Sequence, residues 1–260
     1  MTVLRAALSL LLILAALPAA AAGATFADLA WRPHPGQRLP LDAPLVDDSG
    51  RPSLLGRYFS GKPVVLVLDY LRCKTLCGVT MKSIVTALDA LPLDPGRDYQ
   101  LVAISIDPRD TPADAAAAKA RYLPEFAHHA GAGTGLHFLT GQEEVTRRVA
   151  EAAGFPYRYD PVLDQYLHPA GFVIAGPGGA ISRYVFDVGA SPAELQRDLA
   201  AAAAGEAITP LARVLLFCHI QGAPVGRFTL PVIAAFTVAN IAAGLCLIAV
   251  FAGIRRRRHG

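Results

Sequence analysis

The strongest constraint on the fold is an alternation of apolar runs with helical segments. The segments KPVVLVLDY (62–70) and YQLVAISID (99–107) are nearly continuous apolar runs, which is typical of strands buried on both faces of a parallel sheet. Between them, GVTMKSIVTALDAL (78–91) has apolar residues at helical spacing. The sequence therefore predicts a strand–helix–strand unit with parallel strands.

The remaining segments extend this pattern and end it with a hairpin. A helix is predicted to begin after Thr111, a suitable N-cap, and another to end at Gly154. The turn GPGG predicts a hairpin between the last two strands, and a Ser-capped helix follows. The order β-α-β-α-β-α-β-β-α favours an α/β fold, a thioredoxin-like three-layer sandwich, over residues 41–205, after a lead-in at 23–40.

The hydrophobic content of 53% is high for a soluble protein, and the two strongly apolar ends of the chain account for the excess. Residues 1–22 carry Arg5, an apolar run and then small residues, a pattern typical of a secretory signal peptide. Residues 228–254 contain no charge and are long enough for one transmembrane helix. A juxtamembrane linker (206–227) precedes this helix, and a basic tail with four arginines (255–260) follows it.

These termini predict a location and exclude one class of partner. The positive-inside tendency assigns the arginine tail to the cytoplasm, so the folded domain would face the periplasm of a bacterium as a single-pass inner-membrane protein. The formal net charge is +3, and the tail supplies more than that. The remainder has no basic face, and nucleic acid is not an expected partner.

Two of the four cysteines lie where the first strand gives way to the first helix. A helix N-terminus stabilises a thiolate at Cys73 or Cys77 through its unpaired N–H groups, and Arg72 and Lys74 act in the same direction. Side chains four residues apart in a helical turn share one face. The pair can therefore form a redox disulfide, supply two sulfur ligands to one metal ion, or act as a structural staple.

Four blocks of the sequence resemble, in order, the Sco/SenC family over about residues 41–204. The blocks are SGKPVVLVLDYLRCKTLCGVTMKSIV, LVAISIDPRDTP, FLTGQEEVTRRVAEAAGF and YLHPAGFVIAGPGGAISRY. The resemblance implies a membrane-tethered thioredoxin fold that binds a copper ion and assists assembly of the dinuclear copper centre of cytochrome c oxidase. It also implies the metal ligands Cys73, Cys77 and His168, and as partners the copper-bearing subunit of the apo-oxidase and a thiol reductant or copper donor protein.

The chemistry of these three residues suits copper independently. Two thiolates and an imidazole favour the soft monovalent ion and can also hold the divalent one. A structural zinc site usually has a fourth ligand, and none is evident in the sequence. His168 precedes the strand GFVIA, and in a thioredoxin-type sheet the loop before that strand faces the N-terminus of the first helix.

Three positions depart from the family pattern. Gly78 replaces the usual proline after the second cysteine, and Leu167 replaces an aspartate that commonly precedes the histidine. Pro169 follows His168, and thioredoxins place a cis-proline at this point, so a cis bond here is a hypothesis from fold analogy. These departures keep open an alternative function: a thiol–disulfide oxidoreductase in which Cys73 attacks and Cys77 resolves the mixed disulfide. The copper-delivery protein is not expected to be an enzyme.

Several other residues have two interpretations each. Asp107 ends a strand on the cysteine edge, and it either tunes the thiols or serves as a turn residue. Cys218 and His219 form a pair in the linker that either receives copper or resolves a disulfide, or lies at the membrane surface. The remaining candidates are expected to be structural: His128 and His129 as a solvated helix end near Glu125, His137 as a packing residue, and Cys246 as a packing residue in the span.

Overall fold

The fold is known from a computed structural model, which describes residues 28–72, 76–129, 131–186 and 191–206, and residues 237, 238, 240, 241 and 244. Within 76–79 only the backbone is described. The predicted signal peptide and arginine tail lie outside these residues. Of the predicted span 228–254, only the five helical residues between 237 and 244 are included. Among all described residues, no helix combines the length and the apolar character needed to cross a membrane.

Nine strands and five α-helices are assigned among the described residues up to position 206. The strands are β1 (Pro44–Val46), β2 (Pro52–Leu54), β3 (Val64–Asp69), β4 (Gln100–Ser105), β5 (Leu136–Leu139), β6 (Arg158–Asp160), β7 (Gln165–Leu167), β8 (Phe172–Ala175) and β9 (Ile181–Val185). The helices are α1 (Leu76–Asp89), α2 (Pro112–Tyr122), α3 (Ala132–Gly135), α4 (Glu143–Ala153) and α5 (Pro192–Ala203). Two short 3-10 turns cover Leu55–Phe59 and Leu123–Phe126.

The central sheet has five strands in the order β5-β4-β3-β8-β9. The strands β3, β4 and β5 run parallel, whereas β8 runs antiparallel to β3, and β9 antiparallel to β8. Two separate hairpins, β1–β2 and β6–β7, lie outside this sheet. The predicted parallel unit and terminal hairpin are confirmed, and the β6–β7 hairpin is an addition that the sequence pattern did not indicate.

Alternation along β3 divides the core between the two faces of the sheet. Val64, Leu66 and Leu68 pack with α4 and the β1–β2 region on one face. Val65 and Val67 pack with α1, α2 and α5 on the other. This arrangement makes the three layers that were predicted. Each fully buried aliphatic side chain of this kind contributes roughly 1.5–3 kcal/mol to folding.

The helix boundaries follow from capping residues. Thr111 and Ser191 each accept a hydrogen bond from the backbone N–H three residues on. The acidic side chain at that position accepts one from the backbone N–H of Thr111 or Ser191, which completes a capping box at the start of α2 and α5. Gly154 ends α4 in the left-handed conformation, with φ of 68°. A Cβ there would lie 1.9 Å from the carbonyl oxygen of Arg32, so only glycine fits.

His137 on β5 couples stability to pH. Burial is the main reason that its pKa falls to about 4, and the nearby charge of Lys119 lowers the pKa further. Its ring packs against Tyr58, with centroids 4.6 Å apart, and its Nε2 lies 3.0 Å from Gln100 Oε1. The packing role expected from the sequence is therefore what the structure shows.

We expect the free energy of unfolding to decrease as pH falls from about 6.5 to about 4, because the unfolded histidine takes up a proton there and the folded one does not. The loss from His137 alone is about 3 kcal/mol at most. Urea unfolding of the wild type and His137→Phe at pH 4.5 and 7.0 measures it. An equal pH dependence in both proteins would contradict this origin.

Candidate metal centre

The sheet topology brings His168 to the edge of the sheet from which the cysteine segment departs. The strand β3 ends at Asp69, and because β8 runs antiparallel to β3, the chain enters β8 at that same edge. His168 follows β7 and lies in the loop before β8. Its Nε2 lies 3.6 Å from Asp69 Oδ1, and its side chain is only 9% exposed.

Backbone contacts hold the loop that carries His168. The indole N–H of Trp31 donates a hydrogen bond of 2.7 Å to the carbonyl of Ala170. Gly171 has φ of +116°, and a Cβ there would lie 2.4 Å from the carbonyl oxygen of Val185. The His168 ring packs against Phe155, with centroids 5.5 Å apart, so the loop has little freedom to turn the ring away.

The hydrogen bond of His168 determines which ring nitrogen can bind a metal. Nδ1 lies 3.0 Å from the carbonyl oxygen of Pro169. A carbonyl only accepts, so Nδ1 carries the proton and donates it. In the neutral ring Nε2 then bears the lone pair, and it is Nε2 that faces the end of β3. A metal-ligating histidine commonly has its second nitrogen fixed in this way.

The cysteines are placed by the backbone on either side of them. Helix α1 begins at Leu76, so Cys77 is its second residue and lies in the first turn, as predicted. Cys73 falls four residues after the end of β3 and lies outside the described residues, and the side chain of Cys77 is not described. The predicted junction is confirmed, whereas the three-ligand geometry remains a prediction.

A buried carboxylate anchors the backbone directly before Cys73. Asp110 is completely buried and accepts hydrogen bonds from the Leu71 N–H (2.7 Å), the Arg72 Nε–H (2.6 Å) and the Ser105 hydroxyl (2.7 Å). The hydrogen bond to Asp110 raises the pKa of Arg72, so this cation beside Cys73 stays charged. Sequence reasoning missed Asp110, although it lies in the block LVAISIDPRDTP.

Asp107 holds a second set of contacts at the same edge. Its carboxylate accepts from the N–H of Arg109 (2.9 Å), and the guanidinium of Arg109 donates to both carboxylate oxygens. Asp107 Oδ2 also lies 3.6 Å from Arg72 Nη2. The turn interpretation is thus confirmed. These carboxylate contacts are with arginines. The side chains of Cys73 and Cys77 are not described, so an effect of Asp107 on the thiols stays a prediction.

The β6–β7 hairpin is joined to this edge through Arg109. Its guanidinium lies 3.3 Å from Asp164 Oδ1 and stacks 4.9 Å from the ring centre of Tyr159. The hairpin ends at Leu167, directly before His168. Its turn exposes Val162 (90%) and Leu163 (57%), which leaves an apolar tip in solvent.

The departures from the family pattern have structural outcomes. The described residues contain no cis peptide bond, so the bond before Pro169 is trans and the cis hypothesis is wrong. Leu167 has no carboxylate, but Asp69 at the end of β3 places its carboxylate beside Nε2 of His168. Asp69 was not identified as a site residue from the sequence. An acidic residue at the end of an apolar strand, directly before the cysteine segment, could have indicated it.

The other candidates lie elsewhere or outside the described part of the chain. His128 and His129 are at the C-terminal end of α1, the end opposite the cysteines. His128 is exposed, but the side chain of His129 is 7% exposed, so the solvated interpretation is wrong for His129. Cys218, His219 and Cys246 lie outside the described residues, and their roles stay predictions.

The fold and the site together define a thioredoxin-like protein with a cysteine pair at a strand–helix junction and an imidazole at the same sheet edge. A protein-family model described as SCO1/SenC matches residues 44–204. The chain belongs to the SCO1/SenC family. This finding confirms the resemblance inferred from the sequence. No match was found among curated proteins.

Solved structures share the fold of this chain. Two crystal structures from Aquifex aeolicus VF5, named as candidate electron transfer and electron transport proteins, each share 26% identity and cover 66% of this chain. They align with TM-scores of 0.56 and 0.53 over 96% and 100% of their own chains. ScoI from Bradyrhizobium japonicum, solved with copper bound, shares 23% identity with a TM-score of 0.49, covering 65% of this chain and 99% of its own. A further solved structure is that of BsSco, a protein named as a member of the Sco family of cytochrome c oxidase assembly proteins; it shares 19% identity with a TM-score of 0.48, covering 67% of this chain and 98% of its own.

Proposed function

We propose that this protein binds one copper ion through Cys73, Cys77 and His168 and delivers it to the copper-bearing subunit of an apo cytochrome c oxidase. The observation that carries the proposal is the His168 ring. Its Nδ1 proton is held by the Pro169 carbonyl and its Nε2 faces the end of β3, four residues before Cys73. Membership of the SCO1/SenC family supports the choice of copper.

The residues present fit the proposed cargo. Two thiolates and a neutral imidazole form a soft donor set suited to monovalent copper. Helix α1 begins directly before Cys77, so its N-terminal dipole favours the thiolate, and the charged Arg72 precedes Cys73. Both thiols must be reduced before they can bind metal. A thiol reductant is therefore a required partner in this proposal, alongside a copper donor.

The surface around the site suits transfer to another protein. The tip of the β6–β7 hairpin presents Val162 and Leu163 to solvent, and Leu167 at the base of the hairpin adjoins His168. We propose that the copper-accepting subunit contacts this tip and that copper passes by exchange of ligands between the two proteins. No bond of a substrate is broken in this process, so the protein is a metallochaperone rather than an enzyme.

The proposal includes a membrane tether with the domain in the periplasm. It rests on the uncharged segment 228–254, the arginines that follow it, and the signal-like residues 1–22. A tether keeps the copper site within reach of a membrane-bound oxidase. Alkaline extraction of bacterial membranes tests this part, because an anchored chain stays in the pellet whereas a chain without an anchor is released.

Copper titration of the full chain tests the proposed function. Under anaerobic conditions the reduced protein is expected to bind one equivalent of copper(I) in competition with a chromophoric chelator. Bound copper(II) should show a sulfur-to-copper absorption band. The Cys73→Ser/Cys77→Ser variant should bind no copper at this site. Failure of the reduced wild type to hold copper against a weak competitor would reject copper delivery.

The same preparation tests the alternative oxidoreductase function. An enzyme of this kind would reduce a model disulfide with turnover, and it would lose that activity in Cys73→Ser but keep it in His168→Ala. Weak copper binding together with such turnover would replace the proposed function with thiol–disulfide exchange. One equivalent of copper and no turnover would support delivery alone.

A further inference from the structure

A second cluster of metal-binding side chains lies at the far end of α1 from the cysteines. It consists of Asp89, the last residue of α1, and the adjacent residues His128 and His129. Asp89 follows Cys77 by twelve positions, which corresponds to about 18 Å along a helix. The cluster is therefore separate from the centre described above.

The distances in this cluster match the spacing of ligands around a metal ion. His128 Nε2 lies 3.5 Å from Asp89 Oδ1, and His129 Nε2 lies 3.6 Å from the same oxygen. Both separations are too long for good hydrogen bonds. Ligands about 2.0–2.1 Å from a tetrahedral ion are about 3.3 Å apart, close to these values. The donor atoms of the three residues all lie within 4.8 Å of one another.

Asp89 Oδ1 has an environment that a metal ion would complete. The atom is buried and has no hydrogen-bond partner among the described residues. A buried oxygen left in this state usually costs about 1–3 kcal/mol. Its neighbours are the two histidine rings, whose centroids are 4.3 Å apart. A cation between the rings and Oδ1 would satisfy the carboxylate.

The surrounding residues orient the cluster for coordination. Asp94 Oδ1 lies 3.0 Å from Nδ1 of His129, which forms the carboxylate–histidine arrangement often found behind a metal ligand. Nε2 of His129 also lies 2.9 Å from the Asp89 carbonyl oxygen, and in the metal-free protein a proton on Nε2 donates to it. A metal ion would displace that proton to solvent, and the His129 ring would tilt away from the carbonyl so that the Nε2 lone pair meets the ion. Glu125 is paired with Lys82 and is not counted as a ligand.

We propose that Asp89 Oδ1, His128 Nε2 and His129 Nε2 bind a divalent transition-metal ion of the zinc or copper(II) class. Two imidazoles and one carboxylate favour these borderline ions over calcium or magnesium, which prefer oxygen ligands. Three protein ligands leave a fourth position for water or for a side chain of another protein. The ion would join the end of α1 to the segment after the Leu123–Phe126 turn and would stabilise the folded state.

The test uses the full chain with all four cysteines replaced by serine. The proposed copper centre at Cys73 and Cys77 then cannot bind metal, so a failure of the proposed function is distinguishable from a failure of this second site. Isothermal titration with Zn²⁺ alone, and separately with Cu²⁺ alone, is expected to give one equivalent in the micromolar range or tighter. His128→Ala and Asp89→Asn should each weaken binding at least tenfold. The tighter of the two ions identifies the preferred metal.

His34→Ala is the matched control, because His34 is exposed and lies outside the cluster. It should leave both titrations unchanged. Zn²⁺ should raise the midpoint of thermal unfolding of the cysteine-free chain. In that same background it should do so for His34→Ala but not for His128→Ala. Absence of micromolar binding of either ion overturns the proposal. Equal loss in His34→Ala and His128→Ala also overturns it, since that result indicates scattered surface binding.

Discussion

Replacing His168 by alanine is expected to weaken copper binding about 100-fold. Loss of residues behind a metal ligand typically costs 10- to 100-fold in affinity, and loss of a ligand itself should reach at least the upper end of that range. His168 supplies the only imidazole that the proposed centre has, and its Nδ1 is already engaged by Pro169. Competition between the reduced protein and a copper(I) chelator measures the affinity directly.

The two cysteines of His168→Ala should still form a disulfide, because the substitution leaves the cysteine segment and helix α1 unchanged. His34→Ala is the matched control and should bind copper as the wild type does. Asp69→Asn should give an intermediate loss of about tenfold, since it removes the carboxylate charge 3.6 Å from Nε2. If His168→Ala binds copper within threefold of the wild type, the histidine is not a ligand.

Replacing Asp110 by alanine is expected to lower the free energy of unfolding by about 3 kcal/mol. The carboxylate is fully buried and serves as acceptor for the Leu71 N–H, the Ser105 hydroxyl and the Arg72 guanidinium. Its removal leaves the Leu71 N–H without this acceptor and Arg72 without this partner, at about 1–3 kcal/mol for a fully buried group and less for Arg72 because that side chain is half exposed. The Ser105 hydroxyl keeps the Asp107 carbonyl oxygen at 3.3 Å as an acceptor. Urea unfolding measures this change in the free energy of unfolding, which is calculated from the midpoint and slope of the transition.

A matched control for Asp110 is Asp42, an exposed aspartate that pairs with Arg148 at 3.1 Å. Asp42→Ala should cost less than 1 kcal/mol, as surface ion pairs generally do. Because Leu71 and Arg72 directly precede Cys73, Asp110→Ala should also change the rate at which the thiols react with a small disulfide reagent. Equal stability losses in the two variants would show that the buried network contributes little.

Local patterns were sufficient to predict the main sheet and its layers. The apolar run 62–70 predicted a strand within two residues of the bounds of β3, and the capping residues Thr111 and Ser191 located the starts of two helices. Each of these signals depends only on residues that are close to one another in the sequence. The β6–β7 hairpin escaped prediction because its strands are three residues long and largely polar or half-exposed, so they carry no periodic pattern.

The missed residues depend on contacts between distant segments. Asp110 acts on Leu71 and Arg72, almost forty positions earlier, and nothing in its immediate sequence reveals them. His129 was predicted to lie with His128 at a solvated helix end, one turn after Glu125. Its burial comes from the end of α1, forty residues earlier. Such pairings are set by the packing of helices on the sheet, which a single sequence does not encode locally.

The position of His168 on a loop, 91 residues after Cys77, has a mechanical consequence for the proposed cargo. An ion bound to both His168 and Cys77 would act as a removable cross-link between them. Because the loop that it closes is long, the cross-link strongly restricts the conformations of the unfolded chain. Loaded and empty protein would then differ in rigidity at one edge of the sheet while sharing the same fold. An acceptor that docks at this edge could distinguish the two forms by stiffness alone and release the emptied form.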